Sequence, residues 1–332
     1  MVGMRALRRT SSGVLALEPR VNPPVPAPGE ALIRVSRIAI CREDMDESRR
    51  SGDGLPAVTL GTQFVGHVEK LSPVLSGTTS GWEPRRILGK LVAVNPDISC
   101  GRCDLCQRGL SAHCRDRAVL GVHRDGGMAD LVCVPLTSLH VVPEHVDEDR
   151  AVFAASVAAA AHTALQLRVE GRPFITVLGD GPVGLLTAQV LSRLNASVRV
   201  LGRHEAKLEL CAKWGVKHRL ADQAGRRADQ DVVVDCTGTR EGLESSLRMV
   251  RPRGKVLVKA VPTEPVDIAP VVAGEIEMIG SRGGSIAEAL SLIAREQVDV
   301  LSLISRRFKL DHGVEALRAA AAPESLRVLV EP

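Results

Sequence analysis

Short apolar runs alternate with helix-like stretches through the second half of the chain. The runs are rich in β-branched residues and comprise Phe174–Leu178, Val198–Leu201, Asp231–Asp235 and Lys255–Val258. Each has the length of a strand, and near-continuous apolar runs are typical of parallel strands that are covered on both faces. An amphipathic helix pattern begins at Leu185. Alternation of such strands with helices predicts an α/β fold with a doubly wound parallel sheet.

The turn between the first strand and that helix is rich in glycine. It reads Gly179-Asp180-Gly181-Pro182-Val183-Gly184 and fits the pattern G-x-G-x-x-G. In this pattern the first glycine forms the turn, the second lets a pyrophosphate approach the backbone, and the third lets the helix pack on the strand. The unpaired N–H groups and the positive dipole end at the helix N-terminus favour an anion. The segment therefore predicts dinucleotide binding.

The residues after the second strand indicate which dinucleotide is bound. A unit that prefers NAD has an acidic residue there, which binds the ribose 2′-hydroxyl, whereas this chain has Gly202-Arg203-His204. Glycine leaves room for a 2′-phosphate and Arg203 can pair with it, so NADP(H) is predicted over NAD(H). The alternative is that Arg203 is a solvated surface arginine. Thr237 and Gly238 follow the third strand, where they are either cofactor-binding residues or a plain turn.

The first half of the chain has a different pattern. Residues 1–140 are rich in strand and turn signals, with strand-like runs at Ala31–Val35 and Leu91–Val94. An alanine-rich helix pattern follows over Glu148–Leu167. The change in pattern near Pro143 predicts a β-rich domain followed by the dinucleotide domain.

Four cysteines form the clearest metal-binding pattern. Cys100, Cys103, Cys106 and Cys114 have the spacing C-x2-C-x2-C-x7-C on a loop rich in Gly, Arg and Asp. Four thiolates at this spacing can close a tetrahedral zinc shell with no open position, which predicts one structural zinc per chain. An iron–sulfur centre is the alternative, because the same ligands can hold one.

Composition excludes several classes of function. The chain has 332 residues and no tyrosine, so a tyrosine general acid is impossible. The net charge of +4 includes no long basic block, and we expect neither a nucleic-acid nor a membrane partner. The N-terminus lacks the apolar region of a signal peptide, and the apolar stretch Ala151–Leu167 is short for a membrane span. Eight cysteines, four of them at metal spacing, favour a reducing cytoplasm over a disulfide framework.

The order of these motifs resembles the zinc-containing medium-chain dehydrogenase/reductase family of alcohol and polyol dehydrogenases. The cysteine cluster lies about 70 to 80 residues before the glycine turn, and the segment His123–Asp130 resembles that family's glycine-rich stretch. The resemblance implies a GroES-like catalytic domain over residues 1–145, with a zinc lobe at about 96–116. It also implies a Rossmann domain over 146–282, a segment 283–332 that returns to the first domain, and an active site in the cleft between them. Members of the family are usually homodimers or homotetramers and act on small molecules.

The resemblance also shows where this chain departs from the family. Alcohol-oxidising members hold a second, catalytic zinc with three protein ligands. The first ligand corresponds to Cys41, in Cys41-Arg42-Glu43-Asp44, where Glu43 stands at the proton-relay position. The second, the His of a G-H-E motif, is replaced in Gly61-Thr62-Gln63, and the third, a Glu seven residues before His162, is replaced at Ala155-Ser156. One thiolate cannot hold zinc at a useful affinity, so a catalytic zinc is expected to be absent.

Three functions remain open. The leading hypothesis is an NADP(H)-dependent oxidoreductase that transfers hydride to an activated C=C or C=O without a catalytic metal. Cys41, Glu43 and Asp44 are its candidate catalytic residues, with Glu43 as a proton donor whose pKa an apolar cleft would raise. The second is a zinc-dependent alcohol or polyol dehydrogenase in which Glu43, Asp44 or His67 joins Cys41 around the metal. The third is a dinucleotide-binding protein without catalytic activity.

Overall fold

The computed structural model describes residues 4–20, 23–51, 56–72, 84–168, 171–225 and 227–332. The chain divides into two compact units, one made of Met1–Ala155 with Ile304–Pro332 and the other of Ser156–Leu303. The sequence had predicted boundaries after residues 145 and 282. Residues 283–303 belong to the second unit because they are bonded to it: the side chain of Gln189 accepts from Asp299 N at 2.6 Å and donates to Asp299 O at 3.0 Å.

The first unit is built mainly from antiparallel strands. Its strands before the second unit are β1 Met4–Arg9, β2 Leu15–Arg20, β3 Glu30–Ala39, β4 Val58–Thr59, β5 Gln63–Leu71, β6 Leu91–Val94, β7 Asp97–Ile98, β8 Ala118–Val119, β9 Leu131–Pro135 and β10 Leu139–Val141. Its helices there are α1 Arg42–Ser48, α2 Asp104–Gln107 and α3 Glu148–Ala151. Strand β1 pairs with β2 and β4, and β3 pairs with β5 and β9. The predicted helix over 148–167 is in fact two helices, α3 and α4 (Ala154–Leu167).

The second unit contains the parallel sheet that the apolar runs predicted. Its elements are β11 Phe174–Leu178, α5 Pro182–Ser192, β12 Ser197–Gly202, α6 Glu205–Lys213, β13 Lys217–Leu220, β14 Gln230–Asp235, α7 Arg240–Met249, β15 Val250–Val258, α8 Ala269–Ala273, β16 Glu277–Gly280 and α9 Ile286–Ala294. The strand order is β13-β12-β11-β14-β15-β16, and every neighbouring pair is parallel. The chain therefore reverses its direction of progress between β11 and β14, which is the topological switch point of a doubly wound sheet.

Helix α5 is buried more completely than its sequence pattern indicates. Residues Gly184 to Leu191 are all buried, including the polar Thr187 and Gln189. The amphipathic pattern had predicted one solvent-exposed face. The helix packs on β11 and β12, and Gln189 on it is bonded to the segment after α9.

The C-terminal residues complete the first unit. They form β17 Ile304–Lys309, α10 Gly313–Ala320 and β18 Arg327–Glu331. Strand β18 pairs with β3, so the large sheet has the order β10-β6-β5-β3-β18-β17 with β9 also on β3. Its core includes Ile33, Ile38, Phe64 and Val330. In the part of the chain that the structure describes, no helix combines the length and apolar character that crossing a membrane requires.

Candidate functional site

The glycine turn after β11 has the shape of a phosphate cradle. Gly179 has φ +109°, a conformation that favours glycine, and a Cβ added to Gly184 would lie 2.1 Å from the carbonyl oxygen of Gly179. A Cβ at Gly181 would meet no atom within 4 Å. The first and third glycines are therefore required by backbone conformation and by helix packing, while the second leaves open space in front of the N-terminus of α5. These are the three roles that a dinucleotide turn assigns to its glycines.

A cavity of about 630 Å³ opens in front of this turn. That volume lies within the usual range for small-molecule and cofactor sites. The cavity lies at the carboxyl ends of β11, β12 and β14, where open parallel sheets bind ligands. Its lining includes Gly179, Asp180, Gly181, Gly202, Arg203 and Thr237.

The other predicted cofactor residues lie beside the cavity rather than in its lining. Pro182 and Val183 form the first turn of α5, with Gly181 as the N-cap residue. Gly238 makes a turn with φ +65° after β14, and His204 is the N-cap residue of α6. These residues shape the backbone around the site.

Asp180 is the residue of this site that sequence reasoning missed. It is 7% exposed, and one carboxylate oxygen, Oδ2, accepts from the main-chain nitrogens of Arg203 and His204, each at 2.7 Å. The ring nitrogen Nδ1 of His204 lies 3.1 Å from the same oxygen. A Cβ on Gly202 would lie 2.5 Å from Oδ2, so glycine at 202 makes room for this carboxylate. Asp180 thus ties the glycine turn to the end of β12, and its charge is met by protein donors.

Arg203 projects from the end of β12, where the 2′-phosphate contact was predicted. Its Nη2 forms an ion pair with Glu241 Oε2 at 2.5 Å, and the two side chains are 65% and 76% exposed. Exposed pairs of this kind contribute little to stability, whereas an arginine gains more from a phosphate that it can contact with two N–H groups. Arg203 can therefore leave Glu241 for a bound anion.

The four cysteines of the predicted metal site come together in the first unit. Their sulfur atoms all lie within 4.8 Å of one another, with Cys103 3.5 Å from Cys106 and 4.0 Å from Cys114. A tetrahedron with metal–sulfur bonds of about 2.3 Å has sulfur–sulfur edges of about 3.8 Å, so these spacings fit a zinc ion, whereas a disulfide needs about 2.05 Å. Main-chain N–H groups of Cys106 and Arg115 lower the pKa of Cys103 to about 6, whereas burial raises the pKa of Cys106 to about 12, so the sulfur spacing is what indicates the metal site.

Asp44 is the centre of a closed hydrogen-bond network in the first unit. It is completely buried, and its oxygen Oδ2 accepts from Cys41 N at 2.9 Å and from Cys41 Sγ at 3.0 Å. Its other oxygen accepts from Gly61 N, Thr62 N and Thr62 Oγ1 at 2.9 to 3.0 Å. Five protein donors thus surround the carboxylate. Asp44 holds the start of α1 against the segment before β5, so the structure gives it a positioning role instead of the predicted catalytic one.

The surroundings of Cys41 favour a neutral thiol. Burial, together with the charges of Asp44 and Glu43, raises the pKa of Cys41 well above its usual range. The guanidinium of Arg327 is buried nearby, donates from Nη1 to Ile40 O at 2.7 Å, and lies 5.9 Å from the centre of the Phe153 ring. Metal binding needs a thiolate, and burial beside the carboxylate of Asp44 disfavours that form of Cys41.

Of the predicted metal ligands, Asp44 contacts Cys41, whereas Glu43 and His67 do not join them. Glu43 is exposed on the first turn of α1, so it lacks the apolar surroundings on which its predicted proton-donor role depends. His67 lies four residues along β5 from Gln63, which pairs with Ala39, a separation of about 13 Å at the rise of a strand. Among the residues that the structure describes, the metal-spaced group is the Cys100, Cys103, Cys106 and Cys114 cluster alone.

Comparison with known proteins gives a consistent result for both units. A family model described as "Alcohol dehydrogenase GroES-like domain" matches residues 27–144, and one described as "Zinc-binding dehydrogenase" matches residues 182–295. The chain is 25% identical to a sorbitol dehydrogenase of Halalkalibacterium halodurans, with 99% of each chain covered. It is 29% identical to an L-threonine 3-dehydrogenase of Streptomyces avermitilis, with 94% of each covered.

A solved structure has the same fold over the full length. It is described as a zinc-binding dehydrogenase of Sinorhizobium meliloti 1021 bound to NADP, with a TM-score of 0.88, 29% identity and 100% of each chain covered. The similarity confirms the predicted combination of a GroES-like domain with a Rossmann domain.

The Asp44 network makes a first prediction. Replacing Asp44 with Asn removes the charge and puts an NH2 group in place of one acceptor oxygen. The buried donors that face this position then lose their acceptor. We expect the free energy of unfolding to fall by about 3 kcal/mol or more, measured by urea denaturation followed by circular dichroism. Asp46→Asn is the matched control, because Asp46 lies on the same helix with its side chain 64% exposed, and its loss should stay below about 1 kcal/mol. Equal losses for both variants would contradict the positioning role.

Proposed function

We propose a function for this chain from one premise, which is that it belongs to the zinc-containing medium-chain dehydrogenase/reductase family of alcohol and polyol dehydrogenases. The chain acts as an NADP(H)-dependent oxidoreductase that transfers hydride between the nicotinamide and a small-molecule C=C or C=O substrate, without a catalytic zinc. The observation that carries this proposal is the pairing of an intact dinucleotide cradle with a closed Cys41–Asp44 network. The cradle has the glycines of the family's cofactor site, whereas the Cys41–Asp44 network differs from the family's catalytic zinc site.

The residues of the second unit would hold the dinucleotide. The cradle of Gly179 and Gly184 presents the N-terminus of α5 to the pyrophosphate, as anion binding at helix N-termini requires. When bound, NADPH supplies the hydride from its reduced nicotinamide ring. Arg203 supports NADP(H) over NAD(H), because its exposed guanidinium can pair with the 2′-phosphate. The carboxylate of Asp180 accepts hydrogen bonds from the main-chain N–H groups of Arg203 and His204, which leaves the Arg203 guanidinium available for that phosphate. A similar chain solved with NADP agrees with this choice.

The first unit supports hydride transfer without metal catalysis. Three conditions for a catalytic zinc fail together: Thr62 replaces the histidine ligand, the Cys41 thiol donates to Asp44, and the remaining candidates lie apart. Catalytic zinc sites use three protein ligands, and this donor set does not fit one. In this reaction, hydrogen-bond donors of the protein must polarise the acceptor bond of the substrate.

The cysteine cluster would hold a structural zinc. Four thiolates fill all the positions of a tetrahedral ion and leave none for a substrate, so the metal would stabilise the lobe around residues 96–116 rather than take part in chemistry.

Turnover separates the proposed enzyme from a dinucleotide-binding protein that lacks activity. The exposed position of Glu43 favours the dinucleotide-binding protein without activity, because it leaves the proton donor of the enzyme unassigned. NADPH oxidation would be followed at its absorbance maximum with a panel of enones, aldehydes and ketones. The proposal expects turnover with at least one class, and tight NADPH binding with no turnover on the whole panel would favour the non-catalytic alternative.

Arg203 gives a prediction on cofactor choice. Arg203→Ala removes a charge-assisted phosphate contact that is typically worth about 1.5–3 kcal/mol, so we expect NADPH to bind about 10- to 100-fold more weakly. NADH binding should change little, because NADH has no 2′-phosphate. Isothermal titration calorimetry measures both. The control is Arg219→Ala, an exposed arginine on β13 outside the cavity lining, and equal effects on NADPH and NADH would refute the assignment.

The zinc lobe gives a prediction on metal content. Cys106→Ser should lower the zinc content from one ion per chain to near zero and should speed amide hydrogen exchange over residues 96–116, because the metal closes that loop. Cys133→Ser is the control: this half-buried thiol lies on β9 outside the cluster, and burial raises its pKa to about 11. Retention of zinc by Cys106→Ser would show that the four cysteines are not its ligands.

A further inference from the structure

A lysine lies at the carboxyl edge of the parallel sheet, outside the cavity described above. Lys259 directly follows β15, and its main-chain nitrogen donates to Asp235 O at 2.9 Å, which aligns it with the end of β14. The side chain is half-buried. Its Nζ donates to Ala159 O on α4 at 2.9 Å and to Ser281 Oγ after β16 at 3.1 Å. Contacts from two other elements therefore fix the amine beside the strand ends.

The topology of the sheet tells which half of a dinucleotide would meet this amine. A dinucleotide crosses the switch point with one nucleotide on each side, and here the switch point lies between β11 and β14. Gly202 and Arg203, on the β12 side, are the residues assigned to the ribose that carries the 2′-phosphate. The nicotinamide half must then extend over the ends of β14, β15 and β16, which are the strands around Lys259.

The two redox states of the nicotinamide differ in charge. The oxidised ring is a cation and the reduced ring is neutral, while the rest of the dinucleotide is the same in both. A fixed positive charge near the ring therefore repels only the oxidised form. Like charges several ångströms apart in a partly buried site repel strongly enough to change an affinity about tenfold.

We propose that Lys259 is a specificity-determining residue that makes this chain bind NADPH in preference to NADP⁺, through repulsion between its ammonium group and the oxidised nicotinamide ring. The inference rests on the proposed function, since it requires dinucleotide binding in the orientation given by Arg203. It adds to that function a selectivity for the redox state of the cofactor.

The groups around the amine allow its charge to be switched by pH. Burial lowers the pKa of Lys259 to about 8. Burial raises the pKa of the Cys236 thiol to about 12, so this neighbour is neutral when Lys259 titrates. Titratable or charged residues on the surrounding elements are Asp235 at the end of β14, Cys236 directly after it, His162 on α4 and Arg282 after β16. Asp235 Oδ1 accepts from the Thr237 main chain and hydroxyl.

The sign of the pH effect follows from that pKa. Below pH 8 the amine is charged and disfavours NADP⁺, and above pH 8 it is neutral and the repulsion is lost. The ratio of the NADP⁺ dissociation constant to that of NADPH should therefore fall as pH rises through about 8. Titration of the 2′-phosphate, with its pKa near 6, affects both cofactors equally and cancels in the ratio.

The test measures both dissociation constants by calorimetry at pH 6.5 and pH 9.5 for the wild-type chain and three variants. For the wild type we expect the ratio to be about tenfold higher at the lower pH. Lys259→Met should have a low ratio at both pH values, and Lys259→Arg a high ratio at both, because arginine stays charged. Lys255→Met is the matched control for net charge: Lys255 lies on β15, four residues before Lys259, and is paired with Glu277, so this variant should behave as the wild type.

Each outcome decides the inference. A wild-type ratio that does not change with pH, or a Lys259→Met variant that keeps the wild-type ratio and pH dependence, overturns it while the proposed function stands. If neither cofactor binds the wild type, the proposed function fails and the inference with it. Should Lys259→Met not fold, the wild-type pH dependence and the Lys259→Arg variant still decide the question.

Discussion

The first unit depends on the carboxylate of Asp44, which is buried and must find donors. Five donors from Cys41, Gly61 and Thr62 surround it, and a buried carboxylate with fewer partners would carry a large desolvation cost. These bonds join the start of α1 to the chain before β5. The same bonds determine the chemistry of Cys41, because a thiol that donates to a carboxylate is held in its neutral form. The hydrogen bonds that satisfy Asp44 therefore also disfavour the thiolate form of Cys41.

The second unit holds the candidate cofactor site. Its glycine turn, helix N-terminus and strand ends form an intact dinucleotide cradle, and Asp180 fixes this cradle to the end of β12. Charged groups then lie on both sides of the switch point, with Arg203 on the β12 side and Lys259 after β15. A cation at each end suits a cofactor with an additional phosphate at one end and an uncharged, reduced ring at the other. In the proposed function, Arg203 accounts for the preference for a 2′-phosphate and Lys259 for the preference for the reduced ring.

Features that depend on neighbouring residues in the sequence could be predicted, and those that depend on distant contacts could not. The strand Phe174–Leu178 was predicted to the residue, and the cysteine cluster was recognised from its spacing, because both signals lie within a short segment. Asp44 was assigned to catalysis because nothing local reveals donors 17 and 18 residues away. Asp180 was treated as a spacer between glycines for the same reason, since its partners lie on the next strand. The burial of α5 was missed because its outer face is covered by residues near Asp299, about 110 positions later.

The central claim is that hydride transfer in this chain proceeds without a metal at Cys41. The most direct test is the zinc content per chain of purified protein that oxidises NADPH, measured by inductively coupled plasma mass spectrometry for the wild type and for Cys41→Ser. The account predicts one zinc per chain in both proteins, held by Cys100, Cys103, Cys106 and Cys114. Two zinc ions in the wild type, with one lost in Cys41→Ser, would contradict it and would make Cys41 a metal ligand.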